Sequence, residues 1–163
     1  MSRTDAHRAL IQRFYEAFDQ GNGAVMAGYY APDARFEDPV FGRLTGKEAG
    51  AMWRMFTSRP GSDLRVELPE HEAGEASGTA RWIARYTFGP TGRPVVNDIR
   101  ARFRFADGQV IEHVDRFSFW GWSRQAFGVV GMLLGWTPIL RLVLRRKVRA
   151  DLAKFMRGGA APV

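Results

Sequence analysis

The sequence predicts an α+β domain, with helices packed against one face of a curved antiparallel sheet. Three observations carry that reading. Apolar residues recur at helical spacing between Thr4 and Ser58. They then alternate with polar residues through four longer runs, and glycine-containing turns separate the runs. Helices first and consecutive strands afterwards give two layers around one core.

The first helix is expected over about Thr4–Gln20, where Ala6, Ala9, Leu10, Phe14, Ala17 and Phe18 form an apolar stripe. Thr4 or Asp5 is the expected cap, and Gly21-Asn22-Gly23 the stop. A short helix over about Ala24–Tyr30 ends at Pro32-Asp33. A strand is expected at 34–38, a loop over Phe41–Gly46, and a third helix over about Lys47–Ser58. Period-two alternation then places Leu64, Val66 and Leu68 on one face of a strand. It does the same for Trp82, Ala84, Tyr86 and Phe88, for Ala101, Phe103 and Phe105, and for His113, Asp115, Phe117 and Phe119. Gly89-Pro90-Thr91-Gly92 and Asp107-Gly108 read as hairpin turns. The opposite face carries Arg81, Arg85, Arg100, Arg102, Arg104 and Arg116, so it is expected to be solvated or covered by a partner.

Charge divides the chain. The 163 residues carry a net +7, yet the basic and acidic residues of 1–119 cancel, and the whole excess lies in 120–163. A neutral body argues against a nucleic-acid-binding domain, which would spread basic charge over a face. There is no cysteine, so disulfides and thiolate zinc sites are excluded. The first 14 residues lack the apolar segment of a secretion signal, which makes the cytoplasm the default location.

The chemistry centres on Ala34-Arg35-Phe36-Glu37-Asp38-Pro39-Val40. Asp38 shares a strand face with Phe36, and Pro39 ends the run. A carboxylate held against apolar surface is a candidate general base or acid, and the alternative is an Asp-Pro turn at a surface strand end. His113 and Asp115 lie two apart on one strand face, as an acid/base unit would or as a structural hydrogen-bonded pair would. The remaining histidines, His7 and His71, fall in segments read as surface. No metal or cofactor is expected; His113 with Asp38 and Asp115 is the one set that could hold an ion.

The order helix, Gly-Asn, helix, Tyr29-Tyr30-Ala31-Pro32-Asp33-Ala34-Arg35-Phe36-Glu37-Asp38-Pro39-Val40, glycine, helix and strands resembles the cone fold of the nuclear-transport-factor-2-like superfamily. Within it the chain is most similar to SnoaL-like and ketosteroid-isomerase-like proteins, over roughly Asp5–Phe119. The resemblance implies that Asp38 is a proton-shuttling base and that His113 and Asp115 line the cone. It also implies a homodimer paired through the arginine-bearing sheet face. The oxyanion-hole tyrosine of ketosteroid isomerases falls on Phe14, beside Tyr15, and their protonated acid falls on Ala101, with Asp98 nearby. Ketosteroid isomerisation itself is therefore not expected. Such cones are open at one end, and a ligand pocket is expected among Phe14, Tyr15, Tyr30, Trp53, Phe56, Trp82, Tyr86, Ala101, Phe103 and Phe117. The same residues also read as plain core.

Residues 120–163 extend the 1–119 cone domain. The run 125–140 is uncharged but is interrupted by Gly128, Gly131, Gly135 and Pro138, and is too short to span a bilayer. A basic helix is expected over about Pro138–Met156, with Ile139, Leu142, Val143, Val148, Leu152 and Phe155 to one side. Packing on the body or across a dimer is favoured over peripheral membrane contact.

Together these expectations describe a homodimer that binds a small apolar molecule of polyketide, terpene or steroid type. Cofactor-free isomerisation, cyclisation, hydration or dehydration would use Asp38, His113 and Asp115. The alternative is a non-catalytic binding or interaction module of the same fold.

Overall fold

A computed structural model describes residues 1–161. Helix α1 spans Arg3–Asp19 and α2 spans Gly23–Gly28. The cap of α1 is Ser2, two or three residues earlier than expected. Its hydroxyl accepts the Asp5 N–H at 3.1 Å while the Asp5 carboxylate accepts the Ser2 N–H at 3.2 Å. Asp5 is thus the reciprocal partner of a capping box rather than the cap itself. Thr45 and Glu48 build the same device at the start of α3, Gly46–Thr57.

Strand β1, Tyr30–Asp38, starts earlier than its sequence suggests and takes Pro32 into an irregular stretch between Tyr30 and Arg35. The segment expected as a loop after it contains β2, Gly42–Thr45, which folds back antiparallel on β1. Then come β3 (Arg65–Ala73), β4 (Ser77–Phe88), β5 (Arg93–Ala106) and β6 (Gln109–Arg116). The six strands form one sheet in the order β2-β1-β6-β5-β4-β3. All neighbours are antiparallel except β1 and β6, which run parallel. The β5–β6 turn is Asp107-Gly108, with φ of 50° and 75°, the left-handed pair a tight hairpin needs. In β3, Leu68 and Pro69 together oppose Trp82, so the expected Leu64-Val66-Leu68 alternation breaks at a bulge. Proline is tolerated there because a bulged residue need not donate to the ladder.

The first three helices cover the concave face of the sheet. Ile11, Phe14, Met26, Met52, Trp53 and Met55 meet Phe36, Ile99, Phe103 and His113 from the strands, all at 2 % exposure or less. His7, expected at the surface, belongs to this core: its ring stacks on Phe105 at 4.2 Å and Nδ1 lies 3.1 Å from the Gly74 carbonyl. On the convex face the arginines are exposed, apart from half-buried Arg81, and are laced with acids: Arg81 with Asp98 and Glu70, Arg85 with Glu67, and Arg100 with Glu70. Directly opposed Arg81, Arg100 and Arg116 would repel one another without them.

Beyond β6 the chain turns helical. Phe119, expected to continue the strand, opens α4 (Phe119–Phe127), capped by the Ser118 hydroxyl. Gly128, at φ 62°, separates α4 from α5 (Val129–Leu134). The Gln125 side chain pairs with both the N–H and the carbonyl of Val96, docking α4 on β5 as a strand would. Helix α6, Pro138–Met156, buries Leu144 and Leu152 and half-buries Val148 and Phe155. Ile139, Leu142 and Val143, expected on that packed side, instead face solvent at 50–70 % exposure. At 100° per residue they lie opposite Leu144 and Val148, so the packed stripe is narrower than composition suggests.

Candidate active site

Asp38 is the last residue of β1, where Pro39 stops the ladder. Its Oδ1 accepts the N–H groups of Val40 at 2.9 Å and Phe41 at 2.6 Å, folding the chain into a tight turn on the carboxylate itself. Helix α6 holds that turn from behind. Arg145 donates to the carbonyls of Val40 and Pro39 at 3.1 and 3.2 Å, and Arg149 donates to those of Phe41 and Arg43. Every hydrogen bond to Asp38 uses Oδ1, which leaves Oδ2 without one among the described residues.

Asp38 lines a partly open cavity of about 540 Å³. Its walls are largely apolar: Trp53, Phe56, Trp82, Ile99 and Phe117, with Leu144 and Val148 from α6 and Trp122 from α4. Burial in this wall raises the Asp38 carboxyl from 3.8 to about 7. The Phe41 N–H opposes the rise, Asp115 adds to it, and Arg145 restrains it. The group is thus poised to exchange a proton near neutrality.

Asp115 also lines the cavity, at 3 % exposure. On the ladder it lies directly across from Ala101. Its Oδ1 receives the Trp82 indole N–H at 3.3 Å and contacts His113 Nε2 at 3.0 Å. His113 is fully buried and lies behind the cavity wall. Its Nδ1 is 2.7 Å from the Tyr30 hydroxyl, which already accepts the Trp53 indole N–H at 2.9 Å. The Tyr30 proton therefore goes to Nδ1, and Nε2 carries the hydrogen donated to Asp115. Trp53, Tyr30, His113 and Asp115 form one chain of hydrogen bonds whose two end residues, Trp53 and Asp115, both line the cavity, while Tyr30 and His113 lie behind it.

The structure divides the sequence-predicted pocket. Trp53, Phe56, Trp82, Tyr86 and Phe117 line the cavity together with Asp38 and Asp115. Phe14, Tyr15, Tyr30, Ala101 and Phe103 do not; all are at 7 % exposure or less, and Phe14, Tyr30 and Phe103 pack around His113, with Phe14 edge-on to its ring at 5.6 Å. Burial pushes the Tyr15 and Tyr30 hydroxyls well above the usual tyrosine range. Asp98 is on the other face of the sheet, bound to Arg81 at 2.7 Å. Sequence reasoning missed Asn97, which lines the cavity from β5; the alternation of Ala101, Phe103 and Phe105 reaches it when carried back toward Val95. It also missed Arg59, whose Nε is buried without a hydrogen-bond partner among the described residues and whose guanidinium lies 5.3 Å over Phe56. Nothing in the sequence pattern around Pro60-Gly61 marks that residue as cavity-facing.

A family model for the SnoaL-like domain matches residues 11–113. The chain belongs to the SnoaL-like family. No curated protein matches it. Among solved structures, a "putative polyketide cyclase" from Xanthomonas campestris pv. campestris is 23% identical, covering 77% of this chain and 99% of its own, with a TM-score of 0.64. An LEH-like epoxide hydrolase from M. tuberculosis is 18% identical over 88% of this chain and 98% of its own, at a TM-score of 0.64. A hypothetical protein of ketosteroid isomerase-like fold from Catenulispora acidiphila, in complex with trimethylamine, is 17% identical over 78% and 96%, also at 0.64. At these identities the likeness establishes the SnoaL-like cone. No helix among the described residues is long and apolar enough to cross a membrane.

Proposed function

We propose that this SnoaL-like protein binds a small, mostly apolar molecule of polyketide, terpene or steroid type and acts on it by acid/base chemistry without a cofactor. One observation carries the reading: a carboxyl raised to about 7 borders an apolar cavity of about 540 Å³, with one oxygen free of hydrogen bonds among the described residues. A site of that size and character suits a compact multi-ring or long-chain substrate. The unpartnered Nε of Arg59 suits a ligand carbonyl or hydroxyl at one end.

In the mechanism, ionised Asp38 removes a proton from carbon or from a water through Oδ2, while the Val40 and Phe41 N–H groups keep Oδ1 in place. Asp115 is the second acid/base group, across the ladder from the position where the family resemblance implies an acid. His113 positions Asp115 from behind and does not touch substrate. The reaction class is isomerisation, cyclisation, hydration or dehydration. The chain works as a homodimer through the convex, arginine-bearing face; sedimentation velocity checks this, and a monomer at high concentration rules it out.

The test is a thermal-shift screen of apolar metabolites followed by turnover assays on each hit, since a ligand of the folded state raises the melting temperature by mass action. Asp38→Asn is expected to keep ligand binding and lower turnover by a factor of about 10³ or more. Unchanged turnover removes Asp38 as the base.

A further inference from the structure

We propose that the outer surface of α5 and the first turns of α6 docks the protein on an anionic membrane surface. The inference is independent of the cavity chemistry. Between Val129 and Val143 the chain exposes Val130, Leu133, Trp136, Ile139, Leu142 and Val143, each at 50 % or more, with Trp136 at 75 % and Ile139 at 70 %. Monomeric proteins rarely leave so many large apolar side chains wet within one short segment unless that segment is used. None of them serves the fold: α6 packs through Leu144, Val148, Leu152 and Phe155 on its opposite side.

The choice of occupant rests on charge. Residues 125–140 carry none, and beyond them the helix is almost purely basic. At 100° per residue, the outward face of α6 that begins with Ile139, Leu142 and Val143 continues into Arg146 and Arg157, both exposed. Apolar insertion and cationic contact therefore lie on one helix face, apolar first and basic after, with Lys154 at its edge. The acid of the segment, Asp151, is half-buried and tied to Lys147 at 2.9 Å. A second copy of the chain seated on this patch would bring two such cationic faces together, which is repulsive. A bilayer bearing anionic headgroups satisfies both parts at once. Trp136, amphipathic and at the most exposed point, suits the headgroup level.

The test uses the full-length chain with phosphatidylcholine vesicles, with and without about one-third phosphatidylglycerol. The intact protein is expected to co-sediment with the anionic vesicles and to be released by salt. Trp136→Ser with Ile139→Ser, and separately Arg146→Glu with Arg157→Glu, should each weaken partition about tenfold or more. Because all four side chains are exposed, melting temperatures should stay unchanged. Absence of co-sedimentation overturns the proposal, as does undiminished binding by the Trp136/Ile139 variant. A concentration-dependent dimer abolished by that variant, without vesicle partition, assigns the patch to self-association and equally overturns it.

Discussion

At the residue scale the candidate site centres on the Asp38 carboxyl. The Asp38 carboxyl is raised from 3.8 to about 7, so the folded protein holds a proton there that the unfolded chain has released between those values. The folded state binds more protons in that window, and its stability falls as pH rises from about 4 to about 7, then levels off. Asp38→Asn should remove that slope. Relative to the parent protein it should gain about 2 kcal/mol between pH 4 and 8, less than the full shift implies because the carboxyl is partly exposed. Urea unfolding at a series of pH values measures it. With Asp38 as base, kcat/KM should rise through about pH 7. The buried relay makes a separate prediction. Tyr30→Phe leaves both His113 Nδ1 and the Trp53 N–H unpaired, and should cost about 2–3 kcal/mol in unfolding experiments without ligand. The shared face of His113 and Asp115 was legible in their spacing. That His113 sits behind the wall was not, because its depth is set by Phe14, Tyr30 and Phe103, which come from three other elements.

At the element scale the decisive piece is α6. Its inner face supplies Leu144 and Val148 to the cavity, and its arginines hold the carbonyls of the Asp38 turn. Arg145→Met should let that turn loosen and remove a cation that restrains Asp38. The midpoint of the Asp38 titration should then move upward, as read by carboxyl NMR or the pH–rate profile. The cone's strands were readable because alternation reports which side faces a core. Strand β2 was not: its four residues are too short for alternation to stand out, and pairing with β1 forms it. The packed side of α6 was misread for a related reason. Apolar residues fall all round its first turns, so composition could not say which arc meets the body.

At the scale of the whole molecule, the extension completes the cone. Deleting residues 138–163 should expose the cavity, lower the melting temperature by roughly 10 °C and abolish ligand-induced stabilisation, since buried Leu152 leaves together with Leu144 and Val148 of the cavity wall. A truncated protein that melts as the parent does would make the extension an appendage. The clasp also has a consequence in time. Arg145 and Arg149 reach back 105 to 108 residues to the carbonyls they hold. At typical synthesis rates that separation takes on the order of ten seconds to translate. A nascent chain therefore carries the Asp38 turn unclasped while the sheet around it is still being made. The fold secures the Asp38 turn last, when the final helix closes over it.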